Sequence, residues 1–204
     1  MNNSELLKKN HEIYLERLAL YKNYGLDQEQ ARKNIIKEIN PNYKSILEIG
    51  TGKGYLTIML AQKFSEIHSV DIDPEEQEIA AMNIEYAKIQ DKVKLILSDG
   101  TPLPFKNQSF DTVVSAFTFH HLKEPFHVIK EMIELAKQQI VIADFNQNGF
   151  TILEKIHVSE GRIHHHENKG YFEIVGTYLE EHNFTVKKVS DEWQEIYIAN
   201  RNQK

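Results

Sequence analysis

The stretch from Ile46 to Thr57, Ile-Leu-Glu-Ile-Gly-Thr-Gly-Lys-Gly-Tyr-Leu-Thr, joins a short apolar run to a helical pattern through three closely spaced glycines. Ile46, Leu47 and Ile49 predict a strand, and Leu56, Met59, Leu60 and Phe64 recur at helical spacing. Glycines at 50, 52 and 54 let the backbone turn sharply and let a ligand approach main chain that a side chain would block. The N-terminus of the following helix would then point free N–H groups at that ligand.

From Lys44 onward the pattern alternates. Strands are expected at Ser45 to Ile49, Ile67 to Ile72, Val93 to Leu97, Asp111 to Phe117 and Gln139 to Asp144. Helices are expected from about Gly54 to Lys63, from Pro74 to about Ile89, and from Glu124 to Ala136. Asp73-Pro74-Glu75-Glu76 has the form of a capping box with proline at the first helical position. Such alternation predicts a mostly parallel sheet with helices on both faces, and a ligand beyond the carboxyl ends of its strands. The end of the chain departs from it. Helices over Phe150 to His157 and Tyr171 to Glu181 precede two closely spaced strands, Thr185 to Val189 and Glu195 to Ala199, which fit an antiparallel pair closing the sheet.

Residues 1 to 40 read as a helical cap, with Leu6, Leu7, Ile13, Leu15, Leu18 and Leu20 as an apolar face. Gly25 ends that helix, Asp27 caps a second, and Asn40-Pro41 closes it. Tyr14, Tyr21 and Tyr24 line a pocket beneath or serve as packing, and packing is the commoner role of such residues. The expected organisation is one domain over 1–204: the cap at 1–40, a core at 44–145, and closing helices and strands at 146–204.

The 204 residues are 41% hydrophobic and 26% charged, an ordinary soluble composition. With no cysteine there is no disulfide, thiolate nucleophile or cysteine-based zinc site. The start carries no apolar signal region, and no stretch nears the roughly 18 apolar residues of a membrane span, so the expectation is a cytoplasmic chain. A net charge of −6 lacks the basic footprint of a nucleic-acid binder.

The residues around the glycines narrow the ligand. A dinucleotide site asks for G-x-G-x-x-G with an acid about 20 residues on, and here the third position of that pattern falls on Tyr55. No phosphate loop with G-K-[ST] is present either. Glu48, just before the turn, would repel a pyrophosphate and hold an ammonium. Asp71 and Asp99 close the next two predicted strands, where they can accept bonds from ribose hydroxyls and from an adenine amino group. The three acids describe a cationic nucleoside rather than a nucleotide.

These motifs, in order, are Leu47-Glu-Ile-Gly-Thr-Gly-Lys-Gly54, Val70-Asp-Ile-Asp-Pro74, Ser98-Asp-Gly-Thr-Pro-Leu-Pro-Phe105 and Phe110-Asp-Thr-Val-Val-Ser-Ala-Phe-Thr-Phe-His-His-Leu122. Together they resemble the class I S-adenosylmethionine-dependent methyltransferases of small-molecule type, over roughly Ser45 to Phe145. The resemblance implies a Rossmann-like, seven-stranded, mostly parallel sheet with an antiparallel C-terminal strand, in three α/β/α layers. It implies S-adenosylmethionine as donor and S-adenosylhomocysteine as product. Gly50, Thr51 and Gly52 would pass under the methionine part, Gly54 would start the helix, and Glu48 would orient the loop and the amino group. Asp71 would bind the ribose, Ile72 would lie on one adenine face, and Asp99 with the Gly100 backbone would meet the adenine edge. The main chain at Ala116 and Phe117 would contact the amino group. Asp111 reads instead as a structural turn residue.

The sulfonium is already activated, so catalysis needs alignment and exclusion of water, and a base only where the acceptor must lose a proton. His120 and His121, just after the fourth strand, are the candidate catalytic residues facing the acceptor; a packing role is the commoner fate of such histidines. Asp144 and Arg162 are further candidate acceptor contacts, and His164-His165-His166 reads as a loop rather than a metal site. Ser115-Ala-Phe-Thr118 occupies the place of the Asn/Asp-Pro-Pro-Tyr/Phe motif of many macromolecular amino-N methyltransferases, which favours a small-molecule acceptor. The alternatives are a macromolecular acceptor, binding without turnover, and, less favoured, an NAD-dependent dehydrogenase.

Overall fold

The structure, a computed structural model, describes residues 2–98, 102–161 and 172–202. The expectations for Asp99, Gly100, Arg162 and His164 to His166 fall outside those residues. Helices α1 (Asn3–Asn23) and α2 (Gln28–Lys37) precede β1 (Ser45–Ile49), α3 (Tyr55–Lys63), β2 (Glu66–Asp71), α4 (Pro74–Tyr86), β3 (Val93–Leu97) and β4 (Phe110–Ala116). A short 3₁₀ turn at Phe119–His121 follows, then α5 (Pro125–Leu135), β5 (Ala136–Phe145), α6 (Gln147–Ser159), α7 (Phe172–Glu181), β6 (Phe184–Ser190) and β7 (Gln194–Arg201).

The strands form one seven-stranded sheet in the order β3-β2-β1-β4-β5-β7-β6. β7 runs antiparallel to both β5 and β6, and the other described pairings are parallel. Alternation along β1 divides the core. Leu47 and Ile49 face α5 and α7 with Val113, Ile140 and Ile142, while Ile46 faces α2 and α3 with Ile67, Val114 and Val141. The result is the three-layer Rossmann-like fold expected. The order reverses between β1 and β4, which opens a crevice at their carboxyl ends.

Three sequence expectations shift, each for a local reason. α4 stops at Tyr86 although Ile89 continues its apolar spacing. Lys88 takes φ +57°, its N–H bonds Glu85 O, and Ile89 N–H reaches back to Ile84 O, closing a Schellman turn without glycine. α6 begins three residues before Phe150, because the Asn146 side chain accepts the Gly149 N–H and makes an N-cap of a polar run. The apolar face proposed for α1 is corrected in half its members: Leu6, Ile13 and Leu15 are 44%, 52% and 50% exposed, while Leu7, Leu18 and Leu20 are partly buried. The inward stripe is Leu7, Asn10, His11, Tyr14, Arg17, Leu18 and Tyr21, largely polar and aromatic.

That stripe fastens α1 across the crevice. Asn3 donates to Glu85 at 2.9 Å, Asn10 to Asn83 at 2.7 Å, and His11 stacks on Tyr86 with ring centres 4.1 Å apart. At its other end Arg17 pairs with Glu160 at 2.9 Å, and Tyr21 joins an apolar cluster with Leu26, Phe145, Phe150 and Ile156. No helix among the described residues is long and apolar enough to cross a membrane.

The seat of α6 is tight. A Cβ built on Gly149 would lie 2.1 Å from Trp193 O and 2.9 Å from a Phe145 ring atom. Gly149→Ala should therefore push α6 off the β5–β7 ledge and destabilise the protein by about 1–3 kcal/mol, read as a lower urea midpoint; an unchanged midpoint would refute the packing.

Candidate active site

The glycine turn is fixed from below by β2. Gly50 N–H and Thr51 N–H both donate to Val70 O, at 2.8 and 3.1 Å. The three glycines have φ +92°, +47° and +76°, a region where side chains are strained. Their surroundings separate their roles. A Cβ on Gly50 would overlap Thr118 at 2.1 Å, and one on Gly54 would press Ala80 of α4 at 3.1 Å. One on Gly52 would meet nothing nearer than a Glu76 oxygen at 4.0 Å. Gly50 and Gly54 thus serve packing inside the protein, and Gly52 borders open space.

Glu48 is 1% exposed. Thr57 Oγ1 donates to its Oε2 at 2.5 Å and Ser69 Oγ at 2.6 Å. Since the Ser69 proton is committed to Glu48, the 2.6 Å contact between Thr51 and Ser69 runs with Thr51 as donor. Both bonds to the carboxylate fall on Oε2, which leaves Oε1 for a ligand. Burial pushes the carboxyl up to about 7; the Ser69 and Thr57 bonds and the Arg32 charge oppose that, and Asp71 adds to it.

Asp71 Oδ2 accepts the Gly52 N–H at 2.6 Å, and Oδ1 accepts the Asp73 N–H at 3.0 Å. Each oxygen keeps a lone pair for a further donor. Beside it Ile72 is 67% exposed, and Leu97, at the end of the neighbouring strand, is 57% exposed. Two large apolar side chains are thus left in the open at adjacent strand ends. Ile72 was legible as a strand-end apolar residue; Leu97 became visible only through the β2–β3 pairing. Asp111 accepts the Lys44 and Ser45 N–H groups, as a structural residue would.

At the other side of the switch point, Phe117 follows β4 with φ +56°, a costly conformation for a bulky residue. It is held by its N–H on Ala143 O at 2.9 Å and by stacking on Phe145 with centroids 4.4 Å apart. Ala116 O accepts the Thr118 hydroxyl at 3.1 Å. The two histidines then part company. His120 is 4% exposed, its backbone N–H bonds Asp144 Oδ2, and its Nδ1 lies 2.8 Å from Asp144 Oδ1. A carboxylate can only accept, so Nδ1 carries the imidazole proton and Nε2 is the basic nitrogen. His121 is exposed and its ring lies tilted against that of His120, with centroids 3.9 Å apart. A cavity of about 210 Å³ lies against this pair, walled by Phe119, His120, Asp144, Phe145, Phe150, Phe172 and polar neighbours; His121 is not on its wall. No group of three or more metal-ligating side chains occurs among the described residues.

The buried Glu48 makes the stability of the ligand-free protein depend on pH. Between its ordinary value of 4.5 and about 7 the native carboxyl holds a proton that the unfolded chain has released, so stability falls as pH rises through that window. Glu48→Gln cannot ionise. Its stability relative to the parent should grow by on the order of 3 kcal/mol from about pH 4.5 to pH 7.5 in urea titrations. A constant difference between the two proteins would show that Glu48 does not titrate in this way.

Comparison with known proteins agrees with the geometry. The family described as "Methyltransferase domain" matches residues 47–142. The release factor glutamine methyltransferase of Dictyoglomus turgidum is 34% identical over 90 residues, 43% of this chain and 31% of that protein. The malonyl-(acyl-carrier protein) O-methyltransferase of Priestia megaterium is 30% identical over 143 residues, 67% of this chain and 49% of that one. The chain thus spans about a third to a half of the length of these curated relatives. Among solved structures, the magnesium protoporphyrin IX methyltransferase of Synechocystis PCC 6803 with bound SAH superposes with a TM-score of 0.65 at 19% identity, covering 85% of this chain and 81% of that one, a likeness of fold. By motif, topology and match, the chain belongs, through the domain at residues 47–142, to the class I S-adenosylmethionine-dependent methyltransferases.

Proposed function

We propose that this chain transfers a methyl group from S-adenosylmethionine to a small-molecule acceptor seated between the ends of β4 and β5. The observation that carries the reading is the His120–Asp144 pair forming one wall of an aromatic-lined cavity of about 210 Å³, across the switch point from the glycine turn. A space of that size suits one small acceptor group rather than a folded surface. When bound, the donor supplies an electrophilic methyl group on a sulfonium.

The chain supplies position, charge and shelter. Glu48 Oε1 faces the donor's ammonium, the open side of Gly52 lets the amino-acid end lie against main chain, and the Ala116 and Phe117 backbone meets it from β4. Asp71 takes the ribose hydroxyls and Ile72 one face of the adenine. Thr51 acts through Ser69, and Gly50 and Gly54 hold the turn's shape. Asp99 and Gly100 are assigned to the adenine edge on the sequence motif. His120, oriented by Asp144, takes the proton that an O–H or N–H acceptor loses as the new bond to carbon forms and the carbon–sulfur bond breaks. Such placement contributes about 7–11 kcal/mol toward the barrier when the reacting atoms are aligned.

Calorimetric titration with S-adenosylhomocysteine should show binding that Asp71→Ala weakens about tenfold or more, the loss of a charge-assisted hydrogen-bond pair. With labelled S-adenosylmethionine and a cell extract, label should enter the low-mass fraction. Label confined to protein or RNA would replace the small-molecule reading with a macromolecular one. Once an acceptor is in hand, His120→Ala should lower kcat by about 10²–10⁴ with donor binding retained. A kcat left within a few-fold of the parent would remove His120 as the base.

A further inference from the structure

The cavity beside His120 is lined in a way that methyl transfer alone does not require. Phe119, Phe145, Phe150 and Phe172 give it aromatic walls, and Glu173 and Glu195 stand among them. No lysine or arginine is among its described lining residues. An apolar chamber next to a base would serve any small acceptor, so the two glutamates ask for a separate reason.

The fold brings both to one side of the cavity. Glu195, in β7, lies opposite Asp144 of β5 in the antiparallel register. Glu173 stands at the start of α7, and α7 closes onto β7 at Gly176, where a Cβ would lie 2.8 Å from the Tyr197 ring. Phe172 meets the same ring edge-on with centres 5.0 Å apart, and the Tyr197 hydroxyl donates to Glu173 O at 3.5 Å. Helix and strand are thus locked around Tyr197. Burial is the main cause that raises this phenol; Lys188 opposes it, and the charges of Glu195 and Glu173 add to it. Both carboxylates are therefore within electrostatic reach of one hydroxyl.

The polar groups on the wall are not equally spent. Asp144 accepts the backbone N–H groups of His120 and Phe145 and the ring proton of His120. Asn146 uses its side chain on Asp191 O and on the Gly149 N–H. Glu195 pairs with Lys188 through Oε2 at 2.8 Å, and its Oε1 has no partner among the described residues. The Glu173 carboxylate has neither a hydrogen bond nor an ion pair there. What remains is one whole carboxylate and half of another beside aromatic rings. An anionic substrate would meet like charge on such a wall, and a neutral one would leave the acids unused. A cation suits both surfaces, since it pairs with a carboxylate and is drawn to ring faces.

We propose that the acceptor is a cationic amine, a small molecule whose ammonium group is held by Glu173 and Glu195 against the phenylalanine rings. The proposal rests on the methyl-transfer reading above and adds to it the charge of the substrate.

The test reads the charge of the product. After reaction with labelled S-adenosylmethionine and a cell extract, the labelled low-mass product is separated from unreacted donor. It is then run by electrophoresis at about pH 2, where carboxylates are protonated and an ammonium group keeps its charge. The product should migrate to the cathode. One that stays at the origin or moves to the anode overturns the proposal and leaves the methyl-transfer reading standing. Absence of any low-mass label removes that reading itself, and this proposal with it. With the extract fraction that yields the product as substrate, Glu173→Gln should lower kcat/KM about tenfold, the worth of a charge-assisted pair, and do so through KM. Glu181→Gln, at the far end of the same helix, removes the same charge and should change kcat/KM by less than about twofold. Equal losses in the two variants would trace the effect to net charge, and an unchanged KM in Glu173→Gln would take that residue out of the site; either overturns the proposal.

Discussion

One carboxylate oxygen organises the donor half of this molecule. Glu48 Oε2, at the end of β1, receives Thr57 from α3 and Ser69 from β2, and Ser69 in turn receives Thr51 from the glycine turn. Four consecutive pieces of chain are therefore registered on a single buried acid. Such an acid is expensive in the ligand-free state, since removing a carboxylate from water costs several kcal/mol after relaxation. The protein meets that cost by leaving the group half-protonated near neutrality. A cation arriving at Oε1 reverses the balance, because it favours the ionised form that burial opposes. Binding strength is thus stored as an unsatisfied charge, within a turn whose shape is already set by Val70 O.

The cap follows a related logic. A surface helix ordinarily docks by an apolar stripe, and α1 instead turns Asn10, His11, Tyr14 and Arg17 inward. Polar groups on the protein side of a helix are costly unless each finds a partner. Asn10 finds Asn83, which in turn donates to Lys53 O in the glycine turn, and Arg17 finds Glu160. The Tyr14 hydroxyl makes no hydrogen bond among the described residues, and its ring packs on Tyr55 just beyond the glycine turn, with centres 4.6 Å apart. A chain from α1 through Asn83 to the turn means that the seating of the cap and the geometry of the donor site are not independent.

Much of the glycine turn and of the elements around it was legible in the sequence because its signals are local. Apolar alternation in β1, positive-φ glycines, Asp73 as an N-cap and acids at strand ends all lie between Ser45 and Ala80, and each acts through near neighbours. The errors came where local signals compete with packing. Leu6, Ile13 and Leu15 look like a core face, yet tertiary contact with α4 rotated a polar stripe inward. Asn146-Gln147-Asn148-Gly149 looks like a loop, yet a single side-chain bond makes it a helix start.

The acceptor half was less legible for a topological reason. Its cavity takes walls from the 3₁₀ turn after β4, the end of β5, the starts of α6 and α7, and the start of β7, residues spread from Phe119 to Glu195. No window of sequence contains them together, and β7 brings Glu195 opposite Asp144 only because it inserts antiparallel between β5 and β6. The sheet order explains why the halves nonetheless cooperate. β4 lies beside β1 although β2 and β3 intervene in sequence, so His120 stands one strand from Glu48 across the crevice. Thr118 presses on Gly50 at that seam, leaving room for no side chain there. The glycine is needed both for its positive φ and to let the turn after β4 close against the turn after β1, and in the function proposed above that contact sets how near donor and acceptor can lie.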